Sequence, residues 1–257
     1  MSDPQDSTQH FSSRVENYIK YRPSYPTTVI EILTERCGLT PTAHIADIGS
    51  GTGILTELWL KQGNPVFGVE PNREMRQAGE RLLAAYPHFT SVNGTAEATT
   101  LPSQSIDFVS AGQTFHWFDV AKARQEFGRV LKPGGWAVLI WNVRQNQASP
   151  FMIAYNQLIY AFAIDMTVSQ EQRIDEHVLA TFYRPSAYQL ITCPNQQRFD
   201  FAGMLGRLLS SSYMPNVDHI DYAPMLAQAK ALFAQHETNG QVVIEYATRI
   251  YYGQIAG

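Results

Sequence analysis

The sequence predicts an α/β chain built on a doubly wound, mostly parallel sheet, and three observations carry that prediction. Between Ala43 and Asn142, short β-branched runs alternate with helical patterns, the rhythm of parallel strands joined by crossover helices. The first run ends in a glycine-rich turn, Asp47-Ile48-Gly49-Ser50-Gly51-Thr52-Gly53, that opens at once into a helical pattern of Ile54, Leu55, Leu58 and Trp59. The second run ends on an acid, Glu70. Strand, glycine turn, helix, strand and acid are the layout of a nucleoside- or dinucleotide-binding crevice.

The elements follow in order. Strands are expected at His44–Ile48, Val66–Glu70, Thr90–Asn93, Ile106–Ala111 and Trp136–Trp141. The intervening helices are Ile54–Gln62, closed by Gly63, then Arg73–Tyr86, entered through Pro71-Asn72 with Asn72 as a good N-cap, then Ala121–Leu131. Lys132-Pro133-Gly134-Gly135 supplies a stop and a turn before the fifth strand. Beyond Asn142 the rhythm changes. Phe151–Ile164, Gln170–Tyr183, Gly203–Ser211 and Pro224–His236 read as helices, the last through Met225, Leu226, Ala229, Leu232 and Phe233. Asn239-Gly240 marks a turn, and Val242–Tyr252 reads as a strand returning to the sheet.

Composition narrows the function. The chain has 257 residues, 44% hydrophobic and only 16% charged, enough to bury one large core or a core with an insertion. Its net charge is −4 and it has no basic run, which argues against nucleic acid as a partner, because phosphate neutralisation needs clustered Lys and Arg. Cys37 and Cys193 are the only cysteines, without metal-ligand spacing, so no metal site is expected and the chain reads as reduced and cytoplasmic. The polar stretch from Met1 to His10 is no signal peptide, and no run approaches the ~18 apolar residues of a membrane span.

The glycine spacing chooses among cofactors. A pyrophosphate fingerprint, G-x-G-x-x-G, counted from Gly49 and Gly51 would need glycine at Ile54. The third glycine stands at Gly53 instead, which argues against NAD and FAD. Close backbone approach and a sharp turn both exclude a Cβ, which explains glycine itself.

Four segments together resemble the class I S-adenosylmethionine-dependent methyltransferases. Ala46–Gly53 resembles the family's glycine-rich first motif, and Glu70-Pro71-Asn72 its second-strand acid. Thr95-Ala96-Glu97, with Leu101-Pro102 downstream, resembles the adenine-side loop, and Arg129–Gly135 the helix and turn before strand five. Gln113–Asp119 after strand four and Tyr18–Pro26 before strand one look like the subgroup of trans-aconitate methyltransferase-like small-molecule enzymes. The resemblance implies a seven-stranded Rossmann-like sheet. It also implies an N-terminal cap segment over residues 1–40, a cofactor-binding core over 41–145, a mainly helical insertion over 146–238 and a final strand over 239–257.

It further implies S-adenosylmethionine as cofactor and in-line methyl transfer to a small molecule, with a carboxylate as the first-choice acceptor. Glu70 would accept the ribose hydroxyls, Asp47 would orient the cofactor's ammonium, and Ala96 and Glu97 would meet the adenine. Gly49, Ser50, Gly51 and Gly53 would form the cradle, with Pro71 and Asn72 beside it. Gln113 is expected at the methionine part, or else is a buried glutamine satisfied by backbone. Arg22 would fork a carboxylate of cofactor or substrate, with Arg14 competing for the role, or is a surface residue of an amphipathic helix. Tyr18 is expected in a lid, whereas Tyr21 and Tyr25 are left between lid and packing stripe. His116 is a weak candidate for a base, because transfer from a sulfonium needs mainly alignment and dehydration, and packing is the competing role. Trp117 and Phe118 would shape the pocket. Ser210–Pro215 resembles a further family signature, as a substrate wall or a helix end. A cofactor-binding regulatory protein without turnover, and transfer to carbon or nitrogen, are the competing readings. Amino methylation of bases lacks its N-P-P-Y or D-P-P-Y tetrad, since Gln113-Thr114-Phe115-His116 stands there.

Overall fold

The computed structural model describes residues 20–164, 175–211 and 213–255. Its centre is a seven-stranded sheet: β1 (Ile45–Ile48), β2 (Val66–Val69), β3 (Phe89–Val92), β4 (Ile106–Gly112), β5 (Leu131–Arg144), β6 (Gln189–Phe199) and β7 (Val242–Gln254). They lie in the order β3-β2-β1-β4-β5-β7-β6, and the first five pair in parallel. The doubly wound sheet expected from sequence is therefore present. Chain progression reverses between β1 and β4, and the crevice outside the strand ends at such a switch point is where open α/β sheets bind ligands.

Helix α1 (Thr28–Cys37) precedes the sheet, and α2 (Ile54–Gln62) and α3 (Arg73–Leu82) are the first crossovers. α3 stops four residues before the expected end. Leu83 folds inward there, only 3% exposed, and Pro87 biases Tyr86 away from helical backbone. α4 (Val120–Val130) is capped by Asp119, whose Oδ1 accepts from Lys122 N at 3.2 Å. The Lys132–Gly135 turn lies inside β5: Ile106 pairs with Leu131 and Phe108 with Trp136, so the extra residues bulge out, with Gly134 at φ 81°.

Among the described residues the chain divides into two compact units. Residues 24–142, 175–193 and 248–255 form one, and 20–23, 143–164, 194–211 and 213–247 the other. The first unit holds the core of Val29, Leu33, Ile45, Trp59, Val66, Ile140 and Ile250. α6 (Glu176–Tyr183) adds an aromatic nest in which Phe182 meets Phe115 at 4.9 Å and Phe127 at 5.7 Å, both edge-on. The second unit packs α5 (Pro150–Phe162), α7 (Phe201–Leu209) and α8 (Tyr222–His236) around Met152, Tyr155, Met204, Leu208 and Met225. Gln170 to Ile174, the expected start of α6, lies outside the described residues. β6 runs through a stretch expected to be mainly helical. It is the last strand of the sheet, where Pro194 can sit without breaking a central ladder. Among the described residues no helix is long and apolar enough to cross a membrane.

Candidate functional site

The site begins at the C-terminal end of β1. Gly49, Gly51 and Gly53 all take positive φ, 67°, 57° and 92°, so the turn itself demands glycine. A Cβ on Gly49 would stand 2.9 Å from Thr114 Cγ2, and one on Gly53 2.6 Å from Leu83 Cδ1, whereas Gly51 has room, with Met75 Cε at 3.6 Å. The turn is tied to β2, since Gly49 N and Ser50 N both donate to Val69 O, at 2.8 and 3.1 Å. Gly79 on α3 lets that helix approach Gly51 O closely. Gly53 begins α2 with no side-chain cap.

Glu70 is 8% exposed and clamps two backbone segments. Its Oε2 accepts from Gly51 N and its Oε1 from Asn72 N, each at 2.8 Å. A carboxylate has about four acceptor positions, so one remains on each oxygen for an outside donor. Asn72 caps α3, its Oδ1 accepting from Glu74 N and Met75 N. Arg76 Nη1 gathers the carbonyls of Glu70 and Pro71.

Asp47 is 1% exposed, with Oδ2 accepting from Thr56 Oγ1 at 2.6 Å and Oδ1 from Ser110 Oγ at 3.0 Å. Trp59 Nε1 donates onward to Ser110 Oγ. Burial raises the Asp47 carboxyl to about 7, against the two hydroxyl donors that favour its ionised form. Among the described residues no cation forms an ion pair with Asp47 or Glu70.

The Ala96-Glu97 loop is closed by a Thr95–Ala98 bridge, with Ala96 buried. Glu97 Oε1 accepts from Asp119 N at 2.9 Å, joining the loop to the start of α4. Below it, Glu126 Oε1 accepts from Thr99 N and Oγ1, while both Glu126 oxygens meet Arg129 at 2.7 Å. Gln113, at φ 60°, turns its carboxamide to the backbone of Asn142: Nε2 donates to Asn142 O at 3.4 Å and Oε1 accepts from Asn142 N at 3.2 Å. Asn142 in turn donates from Nδ2 to Ser24 O and accepts from Thr248 Oγ1.

His116 lies in a short 3₁₀ turn, Phe115–Trp117, anchored by buried Phe115. Neither ring nitrogen has a hydrogen-bond partner among the described residues, and burial lowers its pKa, so the ring is neutral at pH 7. Trp117 is 69% exposed, while Phe118 packs edge-on against Phe115 and Phe127. Tyr25 is a core residue whose hydroxyl abuts Gly112. In the other unit, Tyr21 packs on Gly206 and Phe199, and Arg22 Nη2 donates to Ser210 O at 3.1 Å. Arg14, Tyr18 and Ser212 lie outside the described residues.

Asp47, Gly49, Ser50, Gly51, Gly53, Glu70, Pro71 and Asn72 thus gather at the ends of β1 and β2, with Gln113 at the end of the neighbouring β4. Thr56, Ser110 and Asn142 were missed from sequence. Their elements were legible, but a lone hydroxyl or amide in an apolar run gives no signal of an inward partner.

Residues 46–139 match the family described as a methyltransferase domain. The chain is 39% identical over 144 residues to an uncharacterized methyltransferase of Mycobacterium tuberculosis, covering 55% of this chain and 56% of the relative. It is 34% identical over 150 residues to one of Schizosaccharomyces pombe, covering 58% of each. The chain thus spans about half the length of the curated relatives it matches. The fold is shared with a candidate type II methyltransferase of Anaeromyxobacter dehalogenans, at TM-score 0.67 and 22% identity over 91% of this chain and 98% of that one.

Proposed function

We propose, from the premise that residues 46–139 are a methyltransferase domain, that this chain transfers a methyl group from S-adenosylmethionine to a small-molecule acceptor. The observation that carries the reading is Glu70. It stands beside the positive-φ glycine turn and holds Gly51 N and Asn72 N, with one acceptor position left on each oxygen. That is what a vicinal ribose diol needs, and the room above Gly51 fits a ligand lying on the backbone. S-adenosylmethionine supplies an electrophilic methyl on a sulfonium. Glu70 binds the ribose, the Gly49–Gly53 backbone cradles the amino-acid end, and Asp47 sets the field for the ammonium. Ala96 and Glu97 flank the adenine, and Gln113 serves the methionine part.

The residues present supply alignment and exclusion of water rather than proton transfer, which suits an acceptor that is already an anion. A carboxylate is the acceptor this reading favours, with Arg14 and Arg22 as its sequence support, in a chain working in the cytoplasm. The test is incubation with S-adenosylmethionine carrying a labelled methyl group and a panel of small acids, followed by mass spectrometry. A methyl ester, with S-adenosylhomocysteine formed in equal amount, is expected. A product methylated on nitrogen or carbon would overturn the carboxylate choice. Binding without turnover across amines, phenols and acids would favour a regulatory protein.

A further inference from the structure

The second compact unit buries a cation that no carboxylate matches among the described residues. Arg207, in the last turn of α7, is 7% exposed. Its partners among the described residues are all neutral: Nε donates to Tyr246 OH at 3.0 Å, and Nη1 to Ser210 Oγ at 3.3 Å and Ser211 Oγ at 3.4 Å. Arg144, the last residue of β5, is likewise served by neutral groups, Asn146 Oδ1 at 2.8 Å and Asn156 Oδ1 at 3.4 Å, and lies over the Tyr155 ring at 5.9 Å. Among the described residues no carboxylate pairs with either arginine. Acids of this unit are engaged elsewhere: Asp200 holds Gly203 N, Glu237 holds Gly240 N and Glu245 holds Ser149 Oγ.

Both guanidinium charges act on the same two phenols. Tyr155 is pushed up to about 12 by burial, against the pull of Arg207 and Arg144. Burial would also raise Tyr213, but Arg144, Ser211 and Arg207 together hold it below the ordinary phenol value. Tyr246 accepts from Arg207 and donates to Gln197 Oε1 at 2.9 Å, and Gln197 Nε2 reaches the carbonyls of Tyr21 and Arg22. Tyr246 therefore positions Arg207 and has no donor left for a ligand. A guanidinium has five N–H donors; those on Arg207 Nη2 have no acceptor among the described residues.

A buried charge without a partner is strongly unfavourable, and an apolar residue at position 207 would pack beside Met204 and Leu208 without that cost. Links to a phenol and two serines do not offset it. The geometry points to an anion site in which Arg207 and Arg144, with the Tyr213 hydroxyl, anchor the carboxylate of a small organic acid. Carboxylate is favoured over phosphate because a dianion loses far more hydration among Tyr155, Tyr246 and the surrounding methionines, and because a planar carboxylate fits the guanidinium fork.

The test uses the full chain and defined probes: acetate, succinate and benzoate against acetamide, succinamide and benzamide at matched ionic strength, with inorganic phosphate as a third arm. Thermal stability and calorimetric affinity are read, and S-adenosylhomocysteine is titrated in parallel. At least one carboxylate is expected to raise Tm while its amide does not. Arg144→Gln is expected to weaken that carboxylate about tenfold and leave S-adenosylhomocysteine affinity unchanged. Arg207→Met is expected to abolish the carboxylate response with no loss of Tm in its absence, whereas a merely structural arginine would lower Tm. Should Arg207→Met fail to fold, the inference is wrong about its cost, and Arg144→Gln still tests the site. Equal responses to acid and amide overturn the anion site, and tighter binding of phosphate than of any carboxylate overturns the carboxylate assignment; both leave methyl transfer standing. Failure of S-adenosylhomocysteine to bind overturns methyl transfer and leaves the anion site standing.

Discussion

Glu126 and Asp47 are both buried acids of the same compact unit, and they are treated in opposite ways. Burial would raise Glu126, yet Arg129 and the Thr99 donors hold its carboxyl below the ordinary value, and it fastens the Ala96-Glu97 loop from beneath. Asp47 has only the hydroxyls of Thr56 and Ser110, and burial lifts it to about 7. Glu70 likewise meets backbone N–H groups and no cation among the described residues. An acid paired inside the chain is a structural fastening. In the proposed function, the acids left without a cation are the ones that a cationic cofactor would meet. Arg207 repeats the lesson with the sign reversed in the other unit.

The comparison breaks most easily at the backbone that carries the unpaired acids. Gly53→Ala combines φ 92° with a 2.6 Å clash on Leu83, and Gly49→Ala φ 67° with 2.9 Å on Thr114. Left-handed strain and overpacking together predict a loss of about 2–4 kcal/mol in each, measurable by urea unfolding. Gly51→Ala, whose Cβ would make only an ordinary contact with Met75 Cε at 3.6 Å, should lose about 1–2 kcal/mol from strain alone. An equal loss at all three positions would show that close packing adds nothing to the strain.

Asp47→Asn sharpens the contrast. The folded chain keeps a proton on Asp47 that the unfolded chain releases, because the carboxyl rises from 3.8 to about 7. Its contribution to stability is therefore complete below about pH 4, falls as pH climbs towards 7 and is flat above. Asparagine removes that fall, so the variant should exceed wild type by about 1 kcal/mol or more at pH 8. Its S-adenosylhomocysteine affinity should drop about tenfold. A variant more stable and equally avid would make Asp47 a core residue only. Glu126→Gln should behave oppositely, losing stability at pH 8 by about 1–3 kcal/mol because Arg129 is left without its partner.

The smallest effect is expected at His116. Its nitrogens have no partner among the described residues and burial keeps the ring neutral. His116→Gln should slow methyl transfer by less than about tenfold, below the ~10²–10⁴ of a general base. A larger loss, with the acid limb of the pH–rate profile abolished, would restore it as a base.

The sheet of the first unit was legible because hydrophobic periodicity and glycine punctuation act locally. Asn72 was recognisable as the α3 cap, and Asn72 Oδ1 does hold Glu74 N and Met75 N. What escaped was set by partners distant in sequence. Arg207 sits in a helical pattern as an ordinary polar residue, and only Tyr246 and Ser211 reveal that it points inward. β6 escaped because it lies in a stretch expected to be mainly helical, and its Pro194 and the polar run from Asn195 to Arg198, which an edge position permits, give no strand signal. The turn at Gly134-Gly135 was visible, but its placement as a bulge inside β5 depends on the pairing with β4.

In the proposed function, Glu70 and the glycine turn bind a cationic nucleoside. Calorimetric titration with S-adenosylmethionine, S-adenosylhomocysteine and NAD, repeated on Glu70→Ala, tests it most directly. Saturable binding of both sulfur compounds, none of NAD, and a loss of about thirtyfold or more in the variant are predicted, as expected for hydrogen bonds to a charged group. Binding of NAD alone, or sulfur-cofactor binding untouched by Glu70→Ala, would contradict the account.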